Sequence, residues 1–537
     1  MKSDGIDAWA ILTVLCAAAV AAPLIGLPLS FAVAPGRLSE FSRLVPEAIG
    51  ATAVLVAGVG AGTLLLGTAL AALVSFCDFP GRGWIEWVLV LPLAMPGYVF
   101  TLFALGLDVP GIRSSLGAVC VFTLVLYPYV YLLARAAFLA QSRTLLEAAR
   151  GLGLSRRAAI ARVGLPLARP AILGGVALAL MEALADFGTV NLLGVQTFTD
   201  AIYKVWFIAF DRDAAMQLAT LLVSVTLTLL VLERLARGRA RYHQLAARGD
   251  LAPPVRLRGV AATGAVLAPL ALVGLVVIAP LAQLAVWSIE SIRDGLLAPE
   301  FATAARNSVL LAAMSAVLVP LAAILLAYGA RASRSRLAAG AARTATIGYG
   351  LPGSVVAVAV IVPLGWIERR IDAVAGTGLL LTGTVIGLFY AYLVRFLALA
   401  WGAVEASFTR IPRQLDEAAR GLGADRLEVL ARVHVPLMRA GLVTAALLVF
   451  VEVMKELPAT LLLRPLGGDT LAIAVWQATT ESLFRTAALP ALLIVLVGLL
   501  PVAAMIRLSG RRGAELEAAQ TAGAWAEELE ERRVVPA

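Results

Sequence analysis

The sequence predicts an all-α membrane protein of about twelve transmembrane helices, built as two homologous six-helix halves. Three observations carry this reading. The chain is 61% hydrophobic with a mean hydropathy of +0.90, whereas a soluble domain is nearer half apolar. Apolar runs of the length that crosses a bilayer, about 20 residues, recur along the chain. A polar, Arg-rich segment occurs twice, 270 residues apart: EAARGLGLSRRAAIARVGLPLARP from Glu147 and EAARGLGADRLEVLARVHVPLMRA from Glu417. The two copies agree at 14 of 24 positions without a gap.

The expected spans are 8–33, 49–76, 84–107, 116–140, 168–190, 214–235, 259–288, 306–329, 343–366, 377–402, 437–460 and 487–507. The first run is too long for the apolar core of a signal peptide and reads as an uncleaved span. The connection near Asp108 to Ser115 is the least sharply marked boundary. With both termini inside, and each Lys or Arg within a span counted with its nearer end, 32 of the 44 Lys+Arg fall on the inner side and 12 on the outer. The positive-inside rule therefore puts both termini in the cytoplasm. This distribution accounts for the net charge of +9 and excludes nucleic acid as the reason for it.

The linker 237–258, with Pro253-Pro254, separates an N-terminal unit (1–236) from a C-terminal unit (259–507), and an acidic tail (508–537) follows. The repetition extends beyond the loops. Glu182 pairs with Glu452, Asp186 with Glu456, and Val205-Trp206 with Val475-Trp476, all 270 residues apart. Pro96-Gly97 and Pro352-Gly353 are equivalent at a slightly different offset. The chain reads as a fused pseudo-dimer of one bundle.

Within each duplicated loop the residues predict helix, glycine turn, helix. Thr144 and Glu147 form a capping-box pattern. Ala148 and Ala149 favour helix, and Gly153 suits the left-handed position that ends it. Ser155 caps the next helix, and Asp425 with Glu428 does so in the second copy. The unit offers a small-residue face rimmed by Arg, suited to docking a two-fold partner. An ordinary positive-inside loop needs Arg but not the same spacing twice.

The remaining chemistry is sparse. Cys16, Cys77 and Cys120 have no pairing or metal-ligand spacing and read as small buried hydrophobes. The two histidines, His243 and His434, lie in polar segments and are expected in solvent. Glu182 and Asp186 are four apart and predicted to share a helix face, as are Glu452 and Glu456. They lie roughly 18 and 24 Å along the helix from Pro170, deep in a core of about 30 Å. Intramembrane carboxylates usually face an interior cavity. They read either as an acidic path or as structural groups paired with Lys455 and other polar side chains. The aromatics of the outer segments (Trp206, Phe207, Phe210 and Trp476) fit either interfacial anchoring or docking of an external protein.

The loop spacing resembles the signature of ABC importer permeases: Glu-Ala-Ala, a glycine four residues on, then an aliphatic-Pro ending. It is met by Glu147-Ala148-Ala149, Gly153, Val163 and Leu165-Pro166, and again by Glu417-Ala418-Ala419, Gly423, Val433 and Val435-Pro436. The resemblance implies the type I importer permease fold. It implies that Glu147–Arg157 and Glu417–Leu427 are coupling elements received by a dimer of ATP-hydrolysing subunits. It also implies a substrate-binding protein on the outer side. No cofactor is expected. Lys2, Lys204 and Lys455 are the only lysines and none follows a glycine, so a phosphate-binding Gly-Lys-Ser/Thr loop is absent and the chain is not expected to be an enzyme.

Three stretches resemble the ferric-iron permeases in particular: 77–82 (CDFPGR), 185–190 (ADFGTV) and 452–460 (EVMKELPAT). Carboxylate oxygens suit a hard cation such as Fe³⁺. Thiamine or another small solute remains the alternative cargo. A twelve-helix secondary transporter is the alternative class, since it too can have two parallel halves, but it has no need of a duplicated loop.

Overall fold

The structure, a computed structural model, describes residues 8–141, 143–237, 255–296, 298–333, 335–375 and 383–503. The linker residues 238–254, His243 among them, and the acidic tail lie outside these, as does the Thr144 side chain.

The first half runs α1 (Ala8–Val33), α2 (Leu44–Phe76), the two-residue strand β1 (Cys77–Asp78), α3 (Arg82–Val88), α4 (Gly97–Gly106) and α5 (Ser115–Leu139). The first duplicated loop supplies α6 (Arg143–Gly151) and α7 (Arg156–Ala159). Then come α8 (Leu165–Ala185), α9 (Gly188–Leu192), α10 (Phe198–Phe207) and α11 (Arg212–Arg237). The second half opens with β2 (Val255–Arg256), α12 (Val260–Val273), α13 (Ala279–Arg293), α14 (Phe301–Ser333), α15 (Arg336–Ala345), α16 (Gly353–Ala375) and α17 (Val385–Phe408). Its duplicated loop holds α18 (Arg413–Gly421) and α19 (Arg426–Glu428). The chain continues through α20 (Val435–Leu437), α21 (Arg439–Met454), α22 (Pro458–Leu463), α23 (Leu471–Thr480) and α24 (Phe484–Ala503).

Among the described residues, nine helices are long and apolar enough to cross a membrane, and two bent pairs raise the number to eleven. One bent pair joins Arg82–Ala94 to Gly97–Gly106 at 85°. Its break follows from Pro96, which drives Met95 into extended backbone (φ −96°, ψ 107°). The other joins Arg426–Leu437 to Arg439–Met454 at 78°. The expected span 343–366 corresponds to α16, which starts only after Pro352. It is apolar as far as Trp366 and then carries Glu368, Arg369, Arg370 and Asp372. The boundary near Asp108 is resolved by Ser114, whose hydroxyl accepts from Gly117 N–H (3.0 Å) and starts α5.

In a bilayer, helices associate through close packing rather than through expulsion of water. The α2–α5 pair shows the device. A Cβ added at Gly58 would come within 2.6 Å of Val119, and one at Gly67 within 2.9 Å of the Tyr127 carbonyl. Glycines on α2 therefore let the two backbones approach.

The halves interlock through their first spans. α1 packs on α14, α15 and α16 of the second half, while α12 and α13 pack on α3 and α4 of the first. Trp9 meets Tyr328 edge-on at 5.0 Å. The linker returns through β2, which pairs in parallel with β1, Leu257 N–H donating to the Asp78 carbonyl at 2.8 Å. Burial raises the half-buried Cys77 thiol above its ordinary value, and the nearby Arg156 and Arg82 oppose the rise. The linker end, β1 and the first duplicated loop thus lie together. Cys120 is exposed rather than buried, on the outer face of a helix whose surroundings are apolar.

Candidate functional site

Both duplicated loops form the expected helix–glycine–helix unit. Gly153 (φ +90°) and Gly423 (φ +93°) take the left-handed backbone. Leu154 N–H reaches back to the Ala149 carbonyl (3.3 Å), and Ala424 N–H to that of Ala419 (3.1 Å). This closes the same C-terminal motif on α6 and α18. Ser155 caps α7 through Ala158 N–H (3.3 Å). Asp425 and Glu428 form a reciprocal capping box, with bonds of 2.7 and 3.1 Å. A π-helical turn follows in each copy, Ile160–Gly164 and Val429–His434, the widened turn that often marks functional sites.

Glu147 and Ala148 are exposed, while Ala149 is buried against Ala159, Phe76, Leu154 and Val163. Glu417 and Ala418 are exposed and Ala419 is half-buried. At the turn the side chains of Leu152 and Leu422 stand 88% and 90% exposed. The sequence reading passed over these two leucines. Their signal was an apolar letter repeated 270 residues apart at the tip of a polar loop.

The two loops are held differently. In the second, Arg331 from α14 grips Asp416 (Nε–Oδ2 2.9 Å, Nη2–Oδ1 3.2 Å) and the carbonyls of Phe408 (3.1 Å) and Ile411 (3.0 Å). Tyr328 donates to the Arg426 carbonyl. His434, expected in solvent, is fully buried with its Nε2 2.9 Å from Asp416 Oδ1. Aromatic contacts with Tyr328 and Phe408 enclose it. At the positions equivalent to Asp416 and His434 the first loop has Leu146 and Gly164. It lacks those two side chains; there Gln141 donates to the Gly164 carbonyl (2.8 Å), and Ala149 packs in a small apolar cluster with Ala159.

The four intramembrane acids line one cavity of about 90 Å³. α8 and α21 bring Glu182 and Glu452 to it. The expected shared helix face does not extend to Asp186 and Glu456, because both helices stop short of them, at Ala185 and Met454. Asp186 instead accepts from Thr189 N–H (2.7 Å) and Oγ1–H (2.8 Å), capping the start of α9. Glu456 accepts from Ala459 N–H (2.9 Å) and caps α22. A Cβ at Gly97 would fall 2.9 Å from Asp186 Oδ2, and one at Gly353 would collide with Glu456. Each Pro-Gly pair therefore opens a helix, α4 or α16, onto a carboxylate that its N-terminal dipole favours.

Two cations complete the cavity. Lys455 Nζ lies 2.8 Å from Glu452 Oε1, and Arg395 Nη1 lies 3.1 Å from Glu456 Oε1. Both cations belong to the second half. With all six groups ionised, four carboxylates face two cations, and buried charge must be paired or it is costly. Among the described residues no group of three or more His, Cys, Asp or Glu side chains is gathered to hold a metal ion.

Behind Phe187, which lines the cavity, the two halves meet. Trp476 of α23 is 8% exposed, packs against Phe187 (5.7 Å) and Tyr203 (5.8 Å), and donates to Asn191. Asn191 in turn donates to the buried Asp200 (2.8 Å), which pairs with Lys204 (2.7 Å). The outer aromatics thus divide: Trp476 seals the two halves together, while Phe210 is 80% exposed.

A pair of repeated bundles, a duplicated loop in each and an acid-lined cavity between the halves define a membrane permease of the type I fold. The chain belongs to the family of binding-protein-dependent transport system inner membrane components, whose pattern it matches twice, over residues 62–237 and 319–514. It is similar to the Fe(3+)-transport system permease protein FbpB 2 of Haemophilus influenzae, 28% identical over 472 residues, covering 86% of this chain and 90% of that protein. It also resembles the probable ABC transporter permease protein y4fN of Sinorhizobium fredii, 25% identical over 88% of this chain and 89% of the relative. A shorter similarity, 31% identical over 31% of this chain and 66% of the relative, joins it to a probable molybdenum ABC transporter permease protein of Haloferax volcanii. The chain is thus an ABC importer permease component of the binding-protein-dependent type.

Proposed function

We propose that this permease imports ferric iron. The observation that carries the reading is the cavity, where four carboxylates from both halves face only two cations. Such a lining favours a compact, highly charged cation and disfavours an oxyanion such as molybdate. The full-length similarity to a protein named as an Fe(3+) permease supports the same cargo. Asp186 and Glu456 shape the cavity as helix caps. Glu182 and Glu452 supply the charge nearest a passing ion. The acids attract the cation without forming a fixed ligand set, which suits passage rather than storage.

In this reading both termini and the duplicated loops face the cytoplasm of a bacterial inner membrane, where the basic loops are retained. Glu147, Ala148, Ala149 and Gly153, with Glu417, Ala418, Ala419 and Gly423, form the surface that receives an ATPase dimer. A binding protein delivers the cargo at the opposite face. Closure of the ATPases on ATP moves α6 and α18, and the bundles rock so that the Trp476 contact between the halves parts. The cavity then alternates between the two sides. This is a shift between two states that each ligand must bind unequally.

Uptake of radioactive ferric iron into proteoliposomes containing the permease, its ATPase and its binding protein tests the cargo. ATP-dependent accumulation unaffected by excess thiamine or molybdate is the expected result. Accumulation of thiamine, or binding-protein-stimulated ATP hydrolysis without iron uptake, would discard iron and leave the family assignment intact.

A further inference from the structure

We propose that the cleft between α14, α15, α17 and the start of α18 binds the headgroup of an anionic phospholipid. The cleft measures about 490 Å³. That is within the range of small-molecule sites. Its wall is apolar where α14 and α17 face each other, at Ala327, Ala330, Trp401 and Phe408. Its rim is basic: Arg343 on α15 and Arg413 at the start of α18 are both exposed, and neither makes an ion pair among the described residues. Arg331 also borders the cleft but is committed to Asp416 and two carbonyls. Glu405 accepts from Trp401 Nε1 (2.8 Å), so the two free guanidiniums outnumber the one carboxylate at the rim.

The first half shows what closes this place when nothing is meant to enter. There Arg135 on α5 binds Glu86 on α3 at 2.7 Å, and its guanidinium lies 5.4 Å from the centre of the Trp87 ring. Tyr131 donates to the Glu86 carbonyl at 2.8 Å. By the offset of the two Pro-Gly pairs (352−96=256), Glu86 corresponds to Ala342 and Trp87 to Arg343. By the offset of the loops (417−147=270), Arg135 corresponds to Glu405. The second half has thus lost the ion pair that ties the two helices and placed an unpaired cation in the gap.

An unpaired guanidinium pair selects an anion such as a phosphate ester. The apolar wall continues along two membrane-spanning helices, which gives acyl chains a place that inorganic phosphate does not need. Basic clefts between spans at the headgroup level are the usual form of such a site. The cleft abuts α18, so an occupant would brace the second duplicated loop.

The test measures binding of short-chain phosphatidylglycerol to the full chain in detergent, by native mass spectrometry, beside phosphatidylcholine and inorganic phosphate. Phosphatidylglycerol is expected to bind, and the other two are not. Arg343→Gln with Arg413→Gln should weaken binding about 25-fold, at roughly fivefold per basic group. Arg343→Lys with Arg413→Lys should retain most of it. Should the double Gln variant aggregate, each single variant carries the same test at about fivefold. Unchanged affinity in the Gln variants, equal binding of phosphatidylcholine, or saturation by inorganic phosphate alone would overturn the proposal.

Discussion

Trp476 in the second half donates its indole N–H to the side-chain oxygen of Asn191 in the first, at 3.0 Å. Trp476 packs on Phe187, which lines the acid-rich cavity, and the bond joins segments that are equivalent neither in sequence nor in position. It ties the two halves together behind Phe187, one of the residues that line the cavity.

Removing the indole should loosen this tie between the halves and make the cavity more accessible. Trp476→Ala deletes the hydrogen bond and both aromatic contacts, which together correspond to about 1.4 kcal/mol or more, a tenfold shift in the open population. The readout is labelling of Ala185→Cys from outside by a membrane-impermeant thiol reagent, in a chain whose three native cysteines are replaced by serine. A roughly tenfold faster reaction than in the Trp476 parent is expected. Equal rates would mean that the indole does not seal the cavity.

The paired glycines at the cavity make a second prediction. Gly97→Ala should destabilise the permease by about 1–3 kcal/mol, because the new methyl group overpacks Asp186 and Thr189. Gly353→Ala should behave alike against Glu456 and Arg395. Gly26→Ala, with nothing within 4 Å of its Cβ position, serves as the control. Thermal unfolding in detergent, with the two cavity variants lowered and the control unchanged, checks the claim.

Much of this arrangement was legible in the sequence because it is local or repeated. The loop helices, Gly153 and Gly423, and the Asp425–Glu428 box follow from residues within a few positions of each other. The equivalence of Glu182 with Glu452 needs only a constant offset. The end of helix at Ala185 was not legible, since nothing in the apolar run announces that Asp186 will cap Thr189. Arg395 was not legible either: its partner Glu456 is 61 residues away and the contact is tertiary. The burial of His434 depends on Tyr328, Arg331 and Phe408 from two other spans. The exchange of first spans between halves leaves no trace in hydropathy.

The asymmetry of the loops is testable through Arg331. Arg331→Met preserves the bulk of the side chain but deletes the bonds to Asp416, Phe408 and Ile411, a loss of about 1.5–3 kcal/mol for charge-assisted bonds. Hydrogen exchange should rise in α18 and leave α6 unchanged. Equal deprotection of both loops, or of neither, would show that the network does not position the second loop.

The most direct test of the central claim, that the duplicated loops couple this chain to an ATPase, is the double variant Glu147→Arg with Glu417→Arg. Both side chains are exposed, so the variant should reach the membrane and elute as the parent does. Co-elution of the ATPase and substrate uptake are measured together in the same preparation. Loss of both, by at least tenfold, from a folded permease is the predicted result. Normal uptake with the ATPase still bound would contradict it.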